Sequence, residues 1–204
     1  MPRNYRLGRR KQSVDETRAR IIAAARDLLM SDEGFRNFTM DGIAREAGVA
    51  RMTVYNQFES KTAVYEALAD DLAARGQIRD NVAGAFMTSD PAAATGKLIE
   101  AFVHFWLSEP DVLGRLSALS QLDPDSHAAE RDAWRLQAIR TMMDRVHKQM
   151  KIRGRRVYQR NVDALYILTN FAMCQALAQA GYSERQIASR IKELASACLG
   201  FNIP

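Results

Sequence analysis

The chain has 204 residues, 47% hydrophobic and 26% charged, with a net charge of +5. These values exclude a disordered or collagen-like chain and provide for one large domain or two small ones around a buried core. The charge is unevenly placed: residues 1–12 hold Arg3, Arg6, Arg9, Arg10 and Lys11 without an acid, 13–144 carry more acid than base, and 145–204 are basic again.

Residues 1–12 therefore read as a basic arm suited to a polyanion, nucleic acid before membrane. The only cysteines are Cys174 and Cys198, and Ser13, Asp15 and Glu16 follow the arm where a secretory signal would be apolar, which points to a reducing cytoplasm.

Apolar spacing close to 3.6 predicts an all-α chain of nine helices. Ser13 and Glu16 form a capping-box pattern ahead of Ile21, Ile22, Ala25, Leu28 and Leu29, and Gly34 closes this helix. Thr39 caps a second helix reaching Ala47, which Gly48 breaks as a left-handed turn residue. A third runs from Ala50 to Gln57 and a fourth from Ser60 toward Gly76. Pro91 to Leu107, Pro110 to Leu122 and Pro124 to Lys151 each open on a proline at a first-turn position. In the last of these, Leu136, Ile139, Met143, Val146 and Met150 make a core stripe. Arg156 to Gly181 and Ser183 to Leu199 complete the count, the second with a Ser183–Gln186 box and Ile187, Ile191, Leu194 and Cys198 along one face. The boundaries expected are 1–12 for the arm, 13–76 for a first domain and 77–204 for a second.

The stretch IAREAGVARMTVYNQFESK, residues 43–61, poses a question of purpose. A helix from Ala50 to Gln57 is too short to stand alone in water, so Ile43, Ala44, Ala47, Val49, Val54 and Phe58 must hold it against its predecessor. Two short helices about a glycine turn make a helix-turn-helix, whose second helix fits the major groove of DNA. Arg51, Met52, Thr53, Tyr55, Gln57 and Lys61 then supply donors and small apolar groups for base edges, with phosphate binders at the rim.

The ordered set Thr39, Ile43-Ala44, Ala47-Gly48-Val49, Thr53-Val54-Tyr55, Phe58 and Ser60-Lys61 resembles the DNA-binding domain of the tetracycline-repressor (TetR) family of bacterial regulators over residues 13–76. The resemblance implies that Thr39, Thr53, Tyr55 and Lys61 bind phosphate and backbone, and that Ala50, Arg51, Met52 and, in some cases, Tyr55 meet bases. Two positions depart from it. Asp41 stands where a basic or neutral group is usual and should repel phosphate unless it serves as a helix-start charge, and Gln57 stands where histidine or tyrosine is common. The family plan also implies nine helices and a variable ligand-binding body.

Enzyme motifs fail. Ala94-Thr95-Gly96-Lys97 ends like a phosphate loop, but Pro91 occupies the first glycine position and Leu98 replaces the magnesium-holding hydroxyl. His104, His127 and His147 lie far apart in sequence, so no metal, cofactor or catalytic group is expected.

The body carries two further expectations. Ala164 to Ser183 is twenty residues without a charge but includes Thr169, Asn170, Gln175 and Gln179, so it suits a helix buried in an assembly rather than a membrane. With Ala172, Ala176, Ala178 and Ala180 allowing close approach, it predicts a homodimer built on the last two helices, which the resemblance also implies. The volume of the body exceeds the needs of pairing, and Phe102, Phe105, Trp106, Met142, Met143, Tyr166, Phe171 and Met173 are the candidates to line a pocket for a largely apolar or aromatic effector. The basic stretch Arg145 to Arg160 reads as a solvated connection. The expected function is a repressor on a pseudo-palindromic double-stranded operator, released by its ligand, with an activator or a nucleoid-type DNA-binding protein as the alternatives.

Overall fold

The computed structural model describes residues 3–204, with side chains described from Gln12 onward. The charges of the basic arm therefore lie outside the described side chains. Among the described residues there are twelve helices and no strand: α1 Arg3–Met30, α2 Gly34–Asn37, α3 Met40–Glu46, α4 Arg51–Phe58, α5 Lys61–Arg75, α6 Ile78–Met87, α7 Pro91–Ser108, α8 Pro110–Leu122, α9 Ala128–Gln149, α10 Arg155–Leu168, α11 Phe171–Gln179 and α12 Glu184–Leu199.

The three helices beyond nine have separate causes. α2 is a single turn at Gly34, where the sequence suggests only a stop. α6 restarts two residues after Gly76, because Gln77 turns the chain at φ 49°, and it buries the spaced set Ile78, Val82 and Ala85. The segment Arg156 to Gly181 is broken into α10 and α11 at Thr169–Asn170, where the Asn170 side chain caps α11 by accepting from the Met173 N–H at 2.7 Å. The helix expected from Ser13 starts at Arg3, since no proline interrupts the Arg, Lys, Leu and Gln residues ahead of it.

The chain divides into two compact units. The first comprises residues 1–72 with 111–127, so α8 from Asp111 onward, which sequence order alone assigns to the second domain, packs with the first. Its core includes Ile21, Leu28, Leu29, Phe38, Ile43, Val54, Phe58, Val64 and Leu68, all buried. Polar ties hold the inserted segment. Arg115 donates to the Leu29 and Ser31 carbonyls at the end of α1, at 2.8 and 2.9 Å. Thr62 donates to Asp123 at 2.8 Å, and the His127 N–H donates to Glu66 at 3.0 Å.

The second unit comprises 73–110 and 128–204. α7 runs through its centre, in contact with α6, α9, α11 and α12. The core joins Leu98, Ile99 and Phe102 of α7 to Ile139, Met142, Met143 and Val146 of α9 and to Val162 and Leu165 of α10. The Ser183–Gln186 capping box forms as expected, but α12 buries Ile187, Ile191, Ala195 and Leu199, a strict four-residue step. Leu194 and Cys198, expected on that face, are exposed instead. Arg145 is no solvated residue either: it donates to the Phe86, Thr88 and Ser89 carbonyls at the end of α6, satisfying groups a helix terminus leaves open.

Candidate nucleic-acid interface

α3 and α4 are too short to persist alone, and the first unit supplies what holds them. Met40, Ile43 and Ala44 of α3 and Val54 and Phe58 of α4 are buried. Gly48 takes φ 62° between the two helices, as the sequence requires, and the Val49 N–H returns to the Ala44 carbonyl at 3.0 Å. Gly42 is needed for another reason: a Cβ there would overlap the Asn37 carbonyl, so α3 lies directly on the backbone before it. Arg18 clamps the far end of α4, donating to the Gln57 carbonyl at 3.0 Å with its guanidinium 4.2 Å from the Phe58 ring centre.

With Val54 and Phe58 turned inward, the opposite face of α4 is open. Arg51 and Met52 are exposed at its first turn, Met52 to 64%. Ala50, also exposed, is the N-cap but offers no side-chain acceptor, so the first N–H groups of α4 receive no cap from it. Thr53, Tyr55 and Gln57 are half-buried, Asn56 is exposed, and Lys61 is exposed at the start of α5. Ser60 caps α5 by accepting from the Ala63 N–H at 3.0 Å, which fixes where Lys61 emerges. Thr39 caps α3, its hydroxyl oxygen accepting from the Gly42 N–H at 3.0 Å, and remains exposed.

Arg51 is held by two partners. Its Nε stands 3.1 Å from Asp41 Oδ1, and its Nη2 donates to the Tyr55 hydroxyl at 3.2 Å with the guanidinium 5.3 Å from the Tyr55 ring centre. The Tyr55 hydrogen bond and then the Asp41 charge raise the Arg51 pKa further above its already high value. Asp41 thus combines a helix-start charge with an ion pair, a role that sequence alone does not identify.

The eight residues put forward for an effector all lie in the second unit. Phe102, Met142 and Met143 are wholly buried core, and Phe105, Trp106, Tyr166 and Met173 pack partly buried against it. Trp106 gathers the aromatic part, with ring centres 4.8 Å from Phe105 and 5.7 Å from Phe171, and its Nε1–H donates to the Thr169 carbonyl at 2.8 Å. Arg135, which no sequence motif marks, is buried beside this group. It pairs with Asp132 at 3.0 Å, donates to the Tyr166 carbonyl at 3.0 Å and to the Thr169 hydroxyl at 3.3 Å, and lies 4.2 Å from the Tyr166 ring centre. A separate open groove of about 1320 Å³ runs along α6, α7 and α12, lined by polar groups that include Lys97, Glu100, His104, Glu184, Arg185 and Lys192. None of the eight residues lines it. The three histidines meet different partners: His104 pairs with Glu184, His127 with Glu66, and His147 contacts Asn161. No helix among the described residues is long and apolar enough to cross a membrane.

Residues 21–68 match the family model described as bacterial regulatory proteins, tetR family. The chain is 36% identical over 109 residues to the HTH-type transcriptional regulator EthR of Mycolicibacterium smegmatis, covering 53% of this chain and 49% of that one. It is 36% identical over 64 residues to the nucleoid occlusion factor SlmA of Pasteurella multocida, covering 31% and 32%. The chain therefore spans about half the length of the first relative and a third of the second. Two solved structures share its fold over most of its length. A TetR-like transcriptional regulator from Rhodococcus sp. RHA1 aligns with a TM-score of 0.64 at 19% identity, over 90% of this chain and 96% of that one. The fatty acid degradation regulator FadR from Bacillus halodurans aligns with a TM-score of 0.65 at 16% identity, over 90% and 95%.

Proposed function

We propose, from the premise that this chain belongs to the tetR family of bacterial regulatory proteins, that it is a sequence-specific DNA-binding transcriptional regulator acting in the cytoplasm. The observation that carries the reading is the open face of α4, on which Arg51, Met52 and Tyr55 stand beside Lys61 while Val54 and Phe58 anchor the helix from behind. Arg51 and Met52, with Ala50, serve base edges, while Thr39, Thr53, Tyr55 and Lys61 serve phosphates, and Gln57 lies at the margin of the same face.

A single α4 offers too few base contacts for a unique site, so the active form is a homodimer on a pseudo-palindrome. The exposed apolar side chains Ile167 of α10 and Leu194 and Cys198 of α12, with the exposed Ala172 and Ala176 of α11, support pairing through these helices. Effector recognition falls to Phe105, Trp106, Tyr166, Phe171 and Met173, with Phe102, Met142 and Met143 as the packed floor beneath them. An apolar or aromatic ligand suits this composition, and a neighbouring fold, SmeT, is described in complex with triclosan. Ligand binding releases the operator only through unequal affinity for the DNA-competent and alternative dimer shapes. The likeness to SlmA favours a second reading, a nucleoid-type protein that binds DNA without sequence preference.

The test is binding of the purified dimer to duplexes selected from a randomised library, with unrelated DNA as competitor and salt varied. A regulator keeps its selected duplex against excess competitor. Loss to competitor at every salt concentration supports the nucleoid-type reading, and no binding at all overturns both. A thermal-shift screen of aromatic and acyl compounds tests the effector: a true effector raises the melting temperature and also changes operator affinity.

A further inference from the structure

The acidic residue beside the recognition helix is a puzzle for any DNA-binding reading, because a carboxylate on this surface faces a polyanion. Asp41 is 57% exposed, yet its Oδ1 lies 3.1 Å from Nε of Arg51, itself 58% exposed. The adjacent Nη2 donates to the Tyr55 hydroxyl at 3.2 Å, one helical turn along α4. Nε and one Nη2 hydrogen are thereby engaged, and both Nη1 hydrogens with the other Nη2 hydrogen are left as donors for a base.

An unrestrained arginine at the start of a helix can swing to whichever phosphate is nearest, and such a contact binds every sequence alike. A carboxylate on one flank works against that in two ways: it neutralises part of the arginine charge and repels the phosphate that would capture it. A hydroxyl on Nη2 adds a second point that fixes the plane of the guanidinium. The loss of rotamer freedom is then already met before DNA arrives, which favours a contact of defined geometry over a diffuse one.

We infer that Asp41 is a positioning and specificity-determining residue that, with Tyr55, holds the Arg51 guanidinium for base readout and turns it away from phosphate. The inference rests on the DNA-binding reading proposed above. Asp41 gives up general affinity in exchange for discrimination, so its removal strengthens binding to unrelated DNA and weakens the choice of sequence.

The experiment uses the intact chain as wild type, Asp41→Asn, Asp41→Glu, Arg51→Ala and the double variant Asp41→Asn/Arg51→Ala. Each is titrated by fluorescence anisotropy, across a salt series, against the duplex that wild type selects from a randomised library and against a scrambled duplex of equal length. Asp41→Asn is expected to bind the scrambled duplex several-fold more tightly, with a salt slope steeper by about one phosphate contact, and to lose about tenfold in the ratio of selected to scrambled affinity. Asp41→Glu keeps most of the ratio, and in the Arg51→Ala background the Asp41→Asn change no longer alters the ratio.

Three results overturn the assignment. A lower melting temperature with an unchanged ratio and salt slope would make Asp41 a helix-start charge only. An equal effect of Asp41→Asn with and without Arg51 would make it a simple source of repulsion. A wild type that binds DNA without selecting any sequence would leave no readout for Asp41 to position, whereas a wild type that does not bind DNA removes the underlying reading as well.

Discussion

Two helical glycines with opposite surroundings allow packing at close backbone approach to be tested by sign. At Gly42 in α3, an added Cβ would overlap the Asn37 carbonyl oxygen, stand 3.3 Å from the carbonyl carbon and reach 3.3 Å from Leu28 Cδ2. The obstruction is backbone, so it cannot rotate aside. The Asn37 carbonyl also accepts the Thr39 N–H at 2.7 Å, and Thr39 caps α3, so moving Asn37 disturbs the cap as well. Gly42→Ala gains about 1 kcal/mol of helix propensity. Against this stand about 1–3 kcal/mol for overpacking and about 1 kcal/mol for the loosened cap.

The net expectation is a loss of about 1–3 kcal/mol, which in a chain of this length lowers Tm by roughly 2–12 °C. Gly84 in α6 is the counterpart. It is exposed, a Cβ added there would meet nothing within 4 Å, and Gly84→Ala should raise stability by about 0.5–1 kcal/mol. Thermal unfolding followed by far-ultraviolet circular dichroism measures both. A Gly42→Ala protein as stable as wild type, or a Gly84→Ala protein less stable, would show that close backbone approach does not set the response at these glycines.

Other outcomes follow from the same kind of contact. Arg135→Met leaves the Tyr166 carbonyl and the Thr169 hydroxyl without their buried donor at the α10–α11 break, while half-exposed Asp132 keeps the Tyr166 hydroxyl, and a loss of about 1–3 kcal/mol in urea unfolding is expected. Burial pushes the Cys174 thiol up to about 12, so at about pH 8 a thiol reagent should leave Cys174 unmodified until the chain unfolds, which a Cys198→Ser variant isolates. The Thr62 hydroxyl, donating to Asp123, holds that carboxyl below its usual range. Its contribution to stability is present above the unfolded carboxylate pKa and is lost as pH falls through the lower folded value, so Asp123→Asn should flatten the acid limb of a stability profile. Lys61→Ala should weaken selected and scrambled duplexes alike and reduce the salt slope by about one.

The helix-turn-helix is legible in the sequence because it depends on local rules: a cap at Thr39, a left-handed glycine at Gly48, a second cap at Ser60 and apolar residues at helical spacing between them. The capping box at Ser183 is legible for the same reason. What periodicity misses depends on contacts distant in sequence. The face of α12 is set by the neighbours of Ile187, Ile191, Ala195 and Leu199, and both four-residue and alternating three- and four-residue steps fit a helix equally well in one dimension. The break at Thr169 is stabilised by Trp106 and Arg135, from 63 and 34 residues away, although Asn170 in an otherwise apolar run is a local sign of it. Asp41 stands out in the sequence as an exception, but its pairing with Arg51 requires the turn at Gly48 to fold the two helices together.

Entry of α4 into the major groove, with Arg51 reading a base there, can be measured by methylation interference on the selected duplex. Dimethyl sulfate places a methyl group on guanine N7, in the major groove, and on adenine N3, in the minor groove. Wild type should be blocked by methylation of a guanine N7 at symmetry-related positions in the two half-sites, and Arg51→Ala should become indifferent to those same positions while still binding through phosphates. Interference confined to adenine N3, or N7 interference that Arg51→Ala leaves unchanged, would mean that Arg51 of α4 does not read the major groove.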